Sequence, residues 1–432
     1  MKKLWQKNKA ELHPLIEAYT VGSDYLLDQE LMPYDIEASI AHALGLARMG
    51  ALSKKETGRL VKGLKDIQRD WRAGKIRIPV SSEDCHTVIE NKLIKKLGDL
   101  GQKIHTGRSR NDQVLVAMRL FMKDKAGQIN RLIASLAQML LKEAQRYQDM
   151  PLPGYSHTQQ AMLSSVGHYY ASFLESLLDD YDFLRKVKDQ IDQNPLGSAA
   201  GFGVNLSLDR NYTSRLLHFK KTQLNSLYCQ NSKGKFESLF LEALAQIMMT
   251  AAKLADDMIV FTTKEFSFFK VNGLITTGSS IMPQKENLDV LEIIRGNASV
   301  VIANQALVKD LNRNTFSGYN RDTQLIKKPL LESVKIVSDT LAVLKIFLET
   351  VAPDRGRILK SIRSDILLAD TALELTKESG LPWRQAYREA RDVNAGQKLD
   401  YTAKIKEKIS LGAAGHLDLP SYQIRIKNLK NG

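Results

Sequence analysis

The sequence predicts an all-α protein built around a bundle of long helices, and two observations carry that expectation. Eleven prolines fall at positions 14, 33, 79, 151, 153, 195, 283, 329, 353, 382 and 420, leaving long tracts in which helices can run unbroken. Inside those tracts apolar residues recur in alternating steps of three and four, and no segment shows period-two alternation bounded by hairpin turns. Any sheet is expected to be minor.

Three tracts give the helical seams in order. Ile129, Leu132, Leu136 and Met139 fall on one face. Phe240, Leu244, Ile247, Ala251, Leu254, Met258 and Phe261 form a longer stripe, and Leu330, Val334, Val337, Leu341, Leu344 and Leu348 a third. Alternation sustained over about three heptads makes a seam for packing against other long helices. Leu239 and Met248 lie off the second seam, so a single subunit is expected to leave apolar surface for partner copies.

Composition narrows the class. A chain of 432 residues with 43% hydrophobic and 25% charged residues reads as a soluble globular protein of two or three domains. No apolar run approaches the roughly 20 residues of a membrane span. The opening MKKLWQKNKAELH lacks the apolar stretch of a secretory leader. Cys85 and Cys229 are the two cysteines, without CxxC spacing, which fits a reducing, cytoplasmic setting and argues against a disulfide framework or structural zinc. The net charge of +14 is scattered, with no run of five basic residues and no nucleic-acid module. It suits a small polyanion better than nucleic acid. No ligand cluster or phosphate-binding glycine loop stands out, so neither a metal nor an organic cofactor is expected.

The stretch Thr277-Gly278-Ser279-Ser280-Ile281-Met282-Pro283-Gln284-Lys285-Glu286-Asn287 packs a glycine, hydroxyls, a proline kink and a lysine ahead of a helical pattern. It reads as a loop presenting Ser279, Lys285 and several N–H groups to an anion. Asn287 is a good N-cap for a helix from Leu288.

This loop resembles the GSSxMPxKxN signature of the fumarase/aspartase superfamily. Three further stretches are similar to those of argininosuccinate lyases: Lys103–Val114 (KIHTGRSRNDQV), Pro153–Gln159 (PGYSHTQ) and Tyr319–Lys327 (YNRDTQLIK). Order and spacing agree from about Lys3 to about Arg391. The resemblance implies a helical domain over 1–108, a central bundle over 109–354 and a small helical domain over 355–432. It implies homotetramers whose sites lie where three subunits meet. It also implies reversible elimination of argininosuccinate to arginine and fumarate in arginine biosynthesis, without a cofactor.

Expelling an amine from a succinate skeleton requires a base for a weakly acidic C–H, stabilisation of a dianion, and a proton for the leaving nitrogen. Ser279 matches the family's base; serine serves as one only where N–H groups and a cation such as Lys285 stabilise its alkoxide. By resemblance His157 is the acid or proton shuttle and pairs with Glu292, a pairing that would hold its tautomer. Arg108, Ser109, Arg110, Asn111 and Asp112 form a donor cluster suited to carboxylates. The resemblance puts Ser109 and Asn111 on the substrate and makes Asp112 supporting; Arg110 is also open to capping a neighbouring helix. Asp28, His86, Ser156 and Asn287 match further substrate-side positions. Tyr319 and Lys327 are eight residues apart, within about 40° of each other on a helix. With Arg321 and Gln324 they match the positions that face the arginine-derived portion or a carboxylate.

The chain departs from the family pattern at Glu286 (usually lysine), Leu288 (proline), Thr158 (leucine) and Leu163 (proline). The Gly234-Lys235 neighbourhood lacks the usual acidic–basic pair. Slow turnover, another fumarate-releasing C–N lyase reaction, or a catalytically weak structural relative are the readings these departures leave open.

Overall fold

The computed structural model describes residues 13–313, 315–393 and 400–429; the first twelve residues, read above as no secretory leader, lie outside the described set. Proline-free tracts become helices throughout. Near the N-terminus three of them pack on one another: α1 (Met32–Arg48), α2 (Lys54–Arg72) and α3 (Cys85–Leu97). A capping box starts α2, in which Ser53 Oγ accepts from the Glu56 N–H and the Glu56 carboxylate accepts from the Ser53 N–H. Asp84 caps α3 by accepting from the Thr87 N–H at 2.8 Å.

Five longer helices follow: α4 (Arg110–Arg146), α5 (Val166–Ile191), α6 (Lys235–Phe261), α7 (Asp289–Asn312) and α8 (Lys327–Thr350). The α6 seam is buried from Phe240 to Met258, and every position of the α8 seam is buried. The α4 seam is offset: Ile129 and Leu136 are buried as expected, but Ile133 and Leu140, not Leu132 and Met139, complete the dry stripe. On α6, Met248 is buried and its neighbour Met249 is exposed, so the off-seam apolar surface lies one residue from where the sequence placed it.

Two compact units divide the chain. The first comprises Met1–Gln128, Leu184–Ala245 and Val301–Lys335. In it, Arg119 of α4 stacks on Phe236 of α6 with 3.9 Å to the ring centre. The Glu242 carboxylate of α6 accepts from Gln305 of α7, and Asn304 of α7 reaches Ser333 of α8.

The second unit comprises Ile129–Phe183, Gln246–Val300 and Ile336–Gly432. Thr250 of α6 donates to Asp180 of α5, and Arg295 of α7 pairs with Asp256 of α6. This unit holds an antiparallel hairpin, β1 (Pro151–Ser156) and β2 (Gln159–Ser165), with a bulge at Gly154/Tyr155. Aromatic rings pack near it: Tyr155, two residues before the turn, lies 6.0 Å from Phe266, and Tyr169 of α5 lies 5.7 Å from Phe261. Toward the C-terminus α9 (Leu368–Ser379) and α10 (Trp383–Val393) share a small core of Ala372, Ala386 and Ala390.

Other strand pairing among the described residues is confined to two short ladders and one isolated bridge, so sheet is minor, as the patterning implied. One helical stretch, Ser226–Phe261, is long and apolar enough by composition to cross a membrane, which the sequence reading did not anticipate. Its apolar side is core: Phe236, Phe240, Leu244 and Ile247 are buried in the protein.

Candidate active site

In the first unit a cavity of about 180 Å³ opens between the start of α3, the start of α4 and the segment leading into α8. Eight of its thirteen lining residues carry titratable side chains: Asp24, Glu83, Asp84, His86, Arg110, Lys233, Arg321 and Lys327, or nine with the Tyr319 phenol. Three of them, His86, Lys233 and Lys327, are buried, and buried charges must be paired or poised for a ligand.

Lys327 is buried at the foot of this cavity, its Nζ 2.7 Å from Asp28 and 3.1 Å from Asp24. Burial opposes its charge, but Asp28 and Asp24 outweigh burial and hold the ammonium above its ordinary range. Asp28 itself is fully buried and also accepts from the Cys85 N–H at 3.1 Å, so it supports the cavity from behind. Asp28, Cys85 and His86 bring donor atoms within 4.8 Å of one another, a set that can in principle hold a metal ion. The lysine ammonium already engages the carboxylate of that set.

His86 points its Nδ1 at Asp35, 3.0 Å away, without aligned hydrogen-bond geometry, and its buried Nε2 has no partner among the described residues. Burial works against its charge, yet Asp35 and then Asp84 prevail and raise its pKa.

Arg110 forks onto Glu83 at 3.3 Å, Asp84 at 3.2 Å and the Thr87 hydroxyl at 2.8 Å. It therefore braces the capped start of α3, the alternative left open by the sequence, while still lining the cavity. Burial opposes ionisation of Asp84, but His86 and Arg110 bring its pKa below the ordinary value. Glu83 holds a backbone φ of 64°, unusual for a residue with a Cβ.

Other candidates are placed differently. Arg108 does not line the cavity; it is buried and donates to Ser39 Oγ at 2.9 Å. Ser109 Oγ accepts from the Asn111 N–H, while Asn111 lines the cavity. Asp112 accepts three backbone N–H groups, from Ser109, Gly197 and Ala199, yet burial still raises its pKa to about 6. It organises loops around the cavity and holds no arginine side chain by a hydrogen bond.

Tyr319 precedes a 3₁₀ turn (Arg321–Ile326), so it and Lys327 do not share one α-helix as their spacing suggested; the turn still brings both to the cavity. Arg321 and Gln324 donate to the Thr20 carbonyl, at 2.8 and 3.1 Å, and so tie down the N-terminal segment as well as lining the cavity. Lys233, which nothing in its local sequence singled out, is a further lining residue.

The remaining candidates lie in the second unit. Ser156 ends β1, and His157 and Thr158 form a two-residue turn with φ of 49° and 60°. Positive φ at both positions is the type I′ pattern, ordinarily served by Asn-Gly, and it is costly for β-branched Thr158. The turn presents His157 to solvent. Its ring makes no hydrogen bond or ion pair among the described residues; the expected pairing with Glu292 is absent, and Glu292 is exposed on the first turn of α7.

The signature loop is pinned at its ends by a bridge: the Thr277 N–H donates to the Asn287 carbonyl at 3.0 Å and the Asn287 N–H returns to Thr277 at 2.8 Å. Asn287 is thus a bridge residue and not the N-cap, and α7 begins at Asp289, whose carboxylate accepts from Thr277 Oγ1. Inside the loop Ser279 Oγ accepts from the Ile281 and Met282 N–H groups, at 3.4 and 3.2 Å. The Lys285 and Glu286 side chains are exposed and engage no partner among the described residues.

Comparison with known proteins adds independent information. A family profile described as lyase matches residues 10–303. The chain is 40% identical over 386 residues to the argininosuccinate lyase of Thermotoga neapolitana, covering 89% of this chain and 96% of that one. It is 42% identical over 425 residues to the argininosuccinate lyase of Sorangium cellulosum, covering 98% of each. Among solved structures, an EDDS lyase in complex with formate superposes with a TM-score of 0.78 at 20% identity, covering 98% of this chain and 90% of that one. That last likeness speaks to the helical fold alone.

Proposed function

The chain belongs to the argininosuccinate lyase family, and from that premise we propose how its residues carry out the reaction. As a carbon–nitrogen lyase it cleaves argininosuccinate reversibly to arginine and fumarate. The Ser279 alkoxide removes a proton from the succinyl carbon next to the C–N carbon. The released electron pair forms the double bond of fumarate as the C–N bond breaks. The departing guanidino nitrogen takes a proton from the acid partner, the role given to His157.

One observation carries the reading: two backbone N–H groups already point at Ser279 Oγ. Hydrogen bonds to a charged oxygen contribute about 1.5–3 kcal/mol each, and they favour the alkoxide over the neutral hydroxyl. Lys285, free of partners among the described residues and two residues past the Pro283 kink, is placed by sequence to add its charge to the dianion. The charges of both signs that line the cavity suit the zwitterionic amino-acid end of the substrate. Ser156, Asn287 and Glu292 complete the loop-side set.

The same reading makes the enzyme a cytoplasmic homotetramer working in arginine biosynthesis. Ile293, Val300 and Leu307 recur every seven residues along α7 and are 63%, 38% and 46% exposed, an apolar stripe suited to helices of other copies. Cys85 and Cys229 are free thiols, as a reducing compartment allows. Domain divisions near 108 and 354 belong to the same reading, supported by helices that start at Arg110 and Arg355.

Ser279→Ala tests the assignment. The base contributes about 10²–10⁴-fold or more to kcat, so turnover should fall by that factor while arginine still binds, as measured by calorimetry. Retention of a tenth of wild-type kcat would remove Ser279 from the role.

A further inference from the structure

Lys233 stands between the short helix Ser226–Asn231 and α6, and its backbone is fixed from both sides. Ser232 Oγ accepts from Arg119 at 2.9 Å and from Gln223 at 3.0 Å. Gly234 turns the chain with φ +81°, where a Cβ would meet Asn312 Cβ at 2.7 Å, and its N–H donates to Glu237 at 2.6 Å. The Lys233 side chain, 5% exposed, lines the substrate cavity.

Its ammonium finds no hydrogen-bond or ion-pair partner among the described residues; only the face of Tyr319 lies over it, at 5.0 Å. The other cations of the cavity are engaged. Lys327 has two carboxylates, Arg110 has two, and Arg321 holds the Thr20 carbonyl. A buried ammonium without a counter-ion is destabilising, and a ligand carboxylate would complete it. An aromatic face is a partial substitute at most.

Resting on the functional reading above, we propose that Lys233 is a specificity-determining residue that receives the α-carboxylate of the amino-acid end of the substrate. The carboxylates lining the same cavity, Asp24 and Asp84 among them, suit the adjacent α-ammonium, so the pocket recognises a free amino acid and not merely a guanidine. Burial and then Lys327 lower the Lys233 pKa to about 8, while Glu237, Asp24 and Asp28 oppose that shift; an arriving carboxylate restores the charge.

The test compares wild type with Lys233→Gln and Lys233→Met, measuring binding of L-arginine and of agmatine, its analogue without the carboxylate, by calorimetry, and KM for argininosuccinate. The loss of one charge-assisted hydrogen bond should weaken arginine binding about ten- to hundredfold and raise KM more than it lowers kcat, with agmatine binding unchanged. Because the ammonium has no counter-ion among the described residues, both variants should melt at or above the wild-type temperature. Equal weakening of arginine and agmatine, unchanged arginine binding, or a fall of several degrees in melting temperature would each overturn the assignment. Arginine binding is read without turnover, so a wild-type protein inactive on argininosuccinate would count against the lyase reading and not against Lys233.

Discussion

Asp28→Asn leaves the Lys327 ammonium, 4% exposed at its side chain, with one carboxylate partner in place of two. With charges 2.7 Å and 3.1 Å apart, an effective dielectric of about 20 gives gross attractions of roughly 6 and 5 kcal/mol. These are opposed by desolvation of several kcal/mol per ion, and breaking a buried pair costs about 3–5 kcal/mol net. Asparagine keeps an acceptor and Asp24 remains, so the lower end, about 3 kcal/mol, applies. At about 2.1 cal/mol/K per residue over 432 residues, the melting entropy is near 0.9 kcal/mol/K, which converts that loss to about 3 °C if the chain unfolds as one unit. The sign with pH follows from the raised lysine pKa. The pair's contribution is complete below the ordinary lysine value and is lost as pH climbs past it toward the folded value. Thermal melts of wild type, Asp28→Asn, Lys327→Met and the double variant, at fixed protein concentration, give the result directly. The double variant should lose at least about 1 kcal/mol less than the sum of the singles. A melting temperature for Asp28→Asn within about half a degree of wild type, with additive effects, would refute the reasoning.

Three other outcomes are expected. Glu286→Lys should raise kcat/KM about tenfold at low salt and less at high salt, because an exposed carboxylate beside Lys285 opposes the dianion; Glu286→Gln should give part of the gain, and unchanged rates in both would show that the departure is no handicap. Gly234→Ala should destabilise by about 2 kcal/mol or more and raise KM, since φ of +81° and a 2.7 Å approach to Asn312 exclude a methyl; an unaltered melting curve would contradict that geometry. Mixing the inactive variants Ser279→Ala and Arg110→Gln under reassociating conditions should restore part of the activity if copies share sites, and a fully active monomer by light scattering would contradict the shared site.

The α6 and α8 seams were legible because each offered one consistent stripe. In α4 both Leu132 and Ile133 fit the alternating step after Ile129, and only packing chose Ile133. The β1–β2 hairpin was illegible: its turn uses His157-Thr158 where the local code calls for Asn-Gly. Asn287 has the chemistry of an N-cap but is captured by Thr277 across the loop, a contact between residues ten apart that local propensity does not encode. Motifs located the cavity's Arg110, Asn111, Tyr319 and Lys327. They missed Lys233, whose importance arises only when the fold brings it beside Asp24, Tyr319 and Lys327 and leaves it without a counter-ion among the described residues.

The most direct measurement supplies argininosuccinate to the purified protein and follows fumarate by its ultraviolet absorbance and arginine by chromatography. The account predicts that both products appear in equal amounts, that added arginine and fumarate drive the reaction back, and that Ser279→Ala releases neither. Absence of both products from the wild-type protein, or fumarate released without arginine, would contradict it.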